Sequence, residues 1–432
     1  MRRLLAVRCG LVVFAVGAWW CAAAQAAHEQ QASVLDAFRK RVEFARKQVP
    51  AIAKAADAAA DRIAAHPDAL LTVPYAPQQS FAEEILNRSG GLAGALPVEE
   101  RPREATDHDV FLFSVRSWEA NADQAAPIVR QAHEKGWLVV LFASRAEMPD
   151  GVAADYVIDN GSDCGCKEDA PVNAIANVLN AWLWNCEYVA ALTRRGKCPA
   201  ILKSGTLPDA AEHNASIQTP SGRHWMGECA TRVPPGKLSE AYLLRVDELL
   251  RAVGSEKIQG EIAGAADLIA AQINAGRKVR VATATHLLMG EIFLDNRTPW
   301  EPFNVVWRAK TAFRERLREG DLLLWFSFVG MSSPYEDYGK YIRETKAPFI
   351  ACFLEDRNAA NNAPDALFRI EQSWTWGDAE VEVPCPPGRM APVSGINQGL
   401  LYRMLDEAVA KRLNAQGAAG EAQEPVHSGA AR

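Results

Sequence analysis

The sequence predicts an α/β protein built as two doubly wound, parallel-sheet units of three layers each, arranged in tandem. Three observations predict it. Short unbroken apolar runs, of which Leu322–Phe326 is the plainest, read as strands buried on both faces of a parallel sheet. These runs alternate with helix-length stretches, as strand–helix–strand crossovers require. The alternation also occurs twice, on either side of an interval rich in Pro, Gly, Ser and His at 206–235. With 432 residues, 49% of them hydrophobic, the chain is long enough for two domains of ordinary size.

Residues 1–26 open with Arg2, Arg3 and Arg8, continue apolar through Trp20 and end in Ala24-Gln25-Ala26. This pattern reads as a secretory signal peptide and places the mature chain in the periplasm or outside the cell. As a membrane anchor the run is short of the roughly 20 residues a spanning helix needs. From Ser33 to Ala65, Leu35, Phe38, Val42, Ala45, Val49, Ile52 and Ala56 recur at helical spacing, with Pro50 expected to kink or split the helix. Ala69–Val73 reads as a first strand, followed by a helix that Ser80 can cap and Gly90-Gly91 ends.

Strands follow at 108–114, 137–143 and 156–158, with helices at 121–135 and 172–193, which completes a first domain over 33–203. The segment 204–254 connects, irregular through 235 and helical from Leu238 to Val253. A second domain over 255–413 opens with a helix at 258–275 and repeats the pattern, with strands at 278–282, 303–307, 322–327, 348–353 and 367–370. Helices are expected at 287–293, 336–345 and 392–413, the last capped by Ser394. The tail 414–432 is rich in Ala, Gly and Glu and reads as disordered.

The formal net charge of -6 becomes more negative once the three leader arginines go, which argues against nucleic acid or an anionic membrane as partner. No segment after the leader could span a bilayer. Past the leader stand Cys164, Cys166, Cys186, Cys198, Cys229, Cys352 and Cys385, an odd number, so at least one thiol stays unpaired. No second Cys or His pair stands at metal spacing, and neither a metal nor another cofactor is expected. The chain has no Gly-x-Ser-x-Gly elbow, Walker loop, His-Glu-x-x-His or intact dinucleotide fingerprint.

The central strand ends in Ser327, Gly330, Ser332 and Ser333 before a helix, so small hydroxyls and amide hydrogens gather where an anion is well held. A strand, a Ser-x-x-Gly-x-Ser turn, a helix and the run Pro348–Phe353 resemble the core of the SIS (sugar isomerase) domain, whose turn holds the phosphate of a phosphosugar. Val329 stands where that family has a serine. The first half resembles more closely a small bacterial SIS family assigned as phosphosugar isomerases, through Glu83, Glu84, Arg88, Gly90, Gly91, Ser114, Asp155, Asp159, Asn160, Ser204 and Asn214. It departs from that family at Pro74-Tyr75-Ala76-Pro77-Gln78, in place of a glycine loop, and at Ser114-Val115-Arg116-Ser117, a turn without glycine.

The resemblance implies flavodoxin-like or Rossmann-like SIS units and a ligand that is a sugar or sugar derivative. It also implies a homodimer packed through helices beside the sheet, or a pseudo-dimer completed within one chain. Aldose–ketose isomerisation needs a base and a second proton carrier, and Glu84, Glu291 and His286 are the candidates, with Glu83 and His213 also available. The same acids could be no more than first-turn residues favoured by the helix dipole, and His286 could be structural. Candidate ligand contacts are Thr283, Thr285, Ser327, Gly330, Ser332 and Ser333 in the second unit, and Ser114, Arg116 and Ser117 in the first. Trp374 and Trp376 could stack on a sugar, whereas Trp182 and Trp184 fall in a helix and read as core. Three readings follow: an exported carbohydrate-derivative-binding protein with altered phosphate loops, an active isomerase, or a non-catalytic scaffold.

Overall fold

A computed structural model describes residues 33–421 apart from 103, 164–169, 220–221, 293–297, 299, 305–308, 330–337, 356–361 and 386. The leader, Cys164, Cys166, Gly330, Ser332, Ser333 and the last eleven residues lie outside the described residues.

The first sheet is formed by β1 (Leu71–Val73), β2 (Ala95–Pro97), β3 (Val110–Ser114), β4 (Leu138–Ala143) and β5 (Tyr156–Asp159), all parallel, in the order β2-β1-β3-β4-β5. A ribbon of β6 (Lys197–Pro199) and β7 (Trp225–Glu228) follows. The second sheet holds β8 (Val279–Ala284), β9 (Glu301–Asn304), β10 (Leu322–Val329), β11 (Phe349–Leu354) and β12 (Phe368–Glu371) in the order β12-β11-β10-β8-β9, again all parallel. Counted within each unit, both sheets read 2-1-3-4-5, a doubly wound order; parallel, doubly wound units are what the sequence predicts. A hairpin of β13 (Val381–Pro384) and β14 (Pro387–Met390) closes the strand set.

The helices are α1 (Val34–Ala65), α2 (Gln79–Ile85), α3 (Trp118–Glu134), α4 (Ala170–Arg194), α5 (Ala210–Ile217), α6 (Lys237–Val253), α7 (Glu256–Asn274), α8 (Leu287–Ile292), α9 (Ala309–Arg316), α10 (Tyr338–Glu344) and α11 (Ser394–Glu421). Alternation along the strands explains the layers. In β3 and β4, Val110, Leu112, Leu138 and Val140 point to one core, and Phe111, Phe113, Val139 and Leu141 point to another beneath α3. In β10, Leu322, Leu324 and Phe326 join the same inner core, while Leu323 and Trp325 pack outward with Phe313 of α9 and Ile342 of α10. The inner core is thus one body shared by both units, and α1, α4, α6, α7 and α11 contribute to it.

Four local expectations differ from the structure. Helix α1 runs unbroken through Pro50. Ser80 does not cap α2, because Gln78 holds the cap position and the Ser80 hydroxyl is directed elsewhere. The connecting segment is not wholly irregular, since it contains α5 and β7. Helix α11 continues past 413 to Glu421, although that stretch carries Gly417 and Gly420, so propensity does not account for it.

Candidate functional site

In a sheet of this order ligands bind at the carboxyl edge where the chain reverses direction, between β1 and β3 in the first unit and between β8 and β10 in the second. The helices that follow these inner strands, α2 and α8, pack on each other. A Cβ on Gly290 would lie 2.6 Å from the Ser80 amide nitrogen, so only glycine permits the approach. The two reversal points therefore face one another across this contact.

Glu84 and Glu291 cross that contact in opposite directions. Glu84 Oε1 accepts from the Leu287 amide at the start of α8 at 3.0 Å, and its Oε2 pairs with Arg88 Nε at 3.3 Å. Glu291 Oε1 accepts from the Ser80 hydroxyl in the first turn of α2 at 2.5 Å, and its Oε2 pairs with Arg116 at 3.2 Å. Glu84 thus meets the amide that opens α8, and Glu291 meets a hydroxyl in the first turn of α2, so each carboxylate lies against the start of the opposite unit's helix.

Around Glu84 the packing is tight and charged. Arg88 also donates to Asp378 Oδ2 at 2.7 Å and to the Ser394 hydroxyl at 2.5 Å, and that hydroxyl donates to Asp378. Arg88, Glu84 and Asp378 are all buried. Burial pushes both carboxyls above the ordinary carboxylate range, with Arg88 opposing. Although burial opposes its charge, Asp378 and Glu84 hold the Arg88 guanidinium above its ordinary value. Gly395 leaves the room this requires, since a Cβ there would overlap Glu84 Oε1.

The remaining first-unit candidates are likewise engaged. Ser114 donates to Gln78 Oε1 at 2.7 Å, Asn177 donates to the same oxygen at 3.0 Å, and the Ser117 hydroxyl accepts from the Ala120 amide as the cap of α3. The chain's own side chains, Arg116 included, therefore fill this edge. Asp159 and Asn160 build a turn, accepting from the amides of Gly161 and Ser162 respectively. Asn214 clamps the backbone of Lys203 through both of its amide atoms. Ser204 bonds Thr206, and His213 bonds the Ile201 carbonyl.

In the second unit Thr283 and Thr285 share a hydroxyl–hydroxyl bond of 2.5 Å. The Ser327 carbonyl accepts from Gln372 at 3.0 Å and from Gln398 at 3.4 Å. Gln372 Oε1 in turn accepts from Trp374 and Gln398. Among the described residues, Gln398 Oε1 and Asn397 Nδ2 are buried without a hydrogen-bond partner. Such atoms are costly unless something completes them. This polar group beneath Ser327 was not legible as a site in the sequence, where Asn397 and Gln398 look like ordinary helix residues. Trp182 and Trp184 are core, as expected.

His286 Nδ1 donates to the Glu83 carbonyl at 3.1 Å, and its ring lies 5.2 Å from Phe328. Burial, and then repulsion from Arg88, holds the imidazole well below its ordinary value of 6.5. The unfolded chain therefore takes up a proton near pH 6.5 that the folded chain refuses, and folding stability is lost as pH falls through that value. Glu84 and Asp378, with raised values, act in the opposite sense. We expect His286→Gln to lose less stability than the wild type between pH 7 and 5, measured by denaturant unfolding at each pH. Equal slopes would mean that His286 does not contribute.

Two clefts flank the β13–β14 hairpin, and neither is lined by the residues at the reversal points. One, of about 640 Å³, is bounded by Arg232, Lys237, Glu382 and Arg389. The other, of about 260 Å³, is bounded by Lys203, Ser204, His213, Trp376 and Arg389.

No family model matches the chain, and no curated protein sequence does. Solved structures similar to it include the C-terminal domain of glucosamine-fructose-6-phosphate aminotransferase from Francisella tularensis, at 10% identity and a TM-score of 0.48 over 89% of this chain and 96% of that one. Tagatose-6-phosphate ketose/aldose isomerase from Escherichia coli is similar at 11% identity and a TM-score of 0.46, over 89% of this chain and 92% of that one. Likeness of this degree carries nothing about ligand or reaction. The two five-stranded parallel units, each flanked by helices, are consistent with the tandem SIS-type arrangement expected from the sequence.

Proposed function

We propose that the chain is an exported protein that binds a sugar or sugar derivative and does not isomerise it. The observation that carries this reading is the reciprocal engagement of Glu84 and Glu291, each fixed to a helix start of the opposite unit and to an arginine. A base for isomerisation needs an accessible lone pair near a substrate carbon, whereas both carboxylates are buried and each of their oxygens already has a partner. His286 is the remaining candidate, and as a neutral imidazole it could accept a proton only weakly.

The second unit's edge is the better place for a ligand. Thr283, Thr285 and His286 stand there with Ser327, and the unpartnered Gln398 Oε1 and Asn397 Nδ2 offer one acceptor and one donor that hydroxyl or amide groups of a sugar derivative would complete. The presence of Arg116, and of Gln78 bonded to Ser114, supports the view that the first unit no longer holds phosphate.

The test is a thermal-shift screen of the mature chain against neutral sugars, amino sugars and their phosphates, with each hit then followed by NMR for aldose–ketose conversion. We expect a rise in melting temperature with at least one sugar, weakened by Gln398→Leu, and no conversion. Conversion that Glu84→Gln or Glu291→Gln abolishes would establish the isomerase reading instead. If no sugar shifts the melting temperature, the scaffold reading stands.

A further inference from the structure

Three cysteines from separate parts of the chain meet at the junction of the two units. Cys198 lies in β6 opposite Gly227, and Cys229, just past β7, donates its amide to the Gly196 carbonyl at 2.8 Å. In an antiparallel ribbon that register puts the two side chains two residues apart on one face. Cys385, directly after β13, reaches the Glu228 carbonyl with its sulfur at 3.9 Å and so lies against that ribbon. Cys385 is near enough to both Cys198 and Cys229 to bear on the titration of each. All three are free thiols; Cys198 and Cys229 are buried, and Cys385 is half-buried. Among the described residues no group of three His, Cys, Asp or Glu side chains is arranged to hold a metal ion.

We propose that this cluster is a disulfide site, at which Cys385 is oxidised onto the β6–β7 ribbon through Cys198 or Cys229 and leaves the third thiol free to exchange. The oxidant is a disulfide, small or protein-borne. Cys385, the most accessible of the three, attacks one of its sulfurs as thiolate, forming a mixed disulfide and expelling the first thiolate. Cys198 or Cys229 then attacks the Cys385 sulfur and expels the second. Two cysteine protons pass to the two leaving thiolates, and the two electrons lost by the cysteines reduce the oxidant.

Burial raises all three thiols above their ordinary value, so the reaction quickens as pH rises. The bond would fix the β13–β14 hairpin, whose Gly388 and Arg389 line both clefts beside it. Oxidation is thereby coupled to the shape of those clefts, whatever ligand the second sheet binds.

The experiment treats the full mature chain with oxidised glutathione and maps its peptides without reduction. The expected result is a peptide pair joining Cys385 to Cys198 or Cys229, and a melting temperature that falls when a thiol reductant is added. Cys385→Ser removes the pair and most of that fall. Cys198→Ala and Cys229→Ala identify the partner, and the double variant loses the link even if Cys385→Ser fails to fold. A Cys198–Cys229 link without Cys385, or a Cys385 that stays fully alkylatable after oxidation, overturns the proposal.

Discussion

Replacing Arg88 with methionine will destabilise the fold by about 3–5 kcal/mol, the cost of removing one partner from a buried ion pair. The side chain is about as fully enclosed as its partners Glu84 and Asp378, at 2% exposure against 1% and 5%. Without it two carboxyls face each other in the core, and at least one must take up a proton. The loss should therefore be smaller at acid pH than at pH 8, because burial raises Glu84 and Asp378 above the ordinary carboxylate range and Arg88, which opposes this, is gone. A contrasting pair is Arg343 and Asp365, bonded at 2.8 Å but with both side chains more than 40% exposed. Asp365→Asn should cost no more than about 1 kcal/mol, since water and salt screen such a pair. Urea unfolding of the two variants at several pH values tests both statements. Similar losses would mean that burial does not govern the Arg88 cluster.

Gly290→Ala will be the second most damaging of these changes, although alanine is the better helix former. The propensity gain is about 1 kcal/mol. Against it, the new methyl would stand 2.6 Å from a backbone nitrogen and 2.7 Å from a Cα of Ser80, atoms that cannot rotate aside. Overpacking of this kind costs about 1–3 kcal/mol and occasionally more, and here it forces α2 from α8 and stretches both crossed carboxylate contacts. The control is Gly260→Ala in α7, where nothing lies within 4 Å of the added atom. That variant should gain about 0.5–1 kcal/mol. Denaturant midpoints for the two alanine variants should move in opposite directions, and a stabilised Gly290→Ala would refute the close approach of α2 and α8.

The parts of the fold legible in the sequence are those whose burial is uniform. Leu138–Ala143 and Leu322–Phe326 are covered on both faces, so every residue is apolar and the run stands out. Strand β2 was missed because it is three residues long, ends in Pro97 and lies at a sheet edge, where a missing amide does no harm. Helix α9 was missed because, among its described side chains, only Ala312 and Phe313 reach the core, in a segment otherwise rich in charge.

At the candidate site, residue types were legible and contacts were not. Leu287 and Glu84 are 203 positions apart, and Ser80 and Glu291 are 211 apart, distances over which no periodic pattern speaks. One local signal was present. Glu84 follows Ser80, and Glu291 follows Leu287, by four positions in matching helices, which suggests equivalent roles for the two acids before any coordinates are seen. Asp378 gave no such sign, standing in a loop 290 positions from the arginine it neutralises.

The common inner core has a bearing on ancestry. Both sheets turn one side toward the same inner core, and α11, the last helix to join it, reaches across to contacts near residues 84, 175 and 287. Loss or exchange of either half by recombination would uncover a strip of aliphatic side chains on the survivor. A half separated in this way would be prone to associate through that strip, so changes along the shared core in one half are expected to be matched by changes in the other.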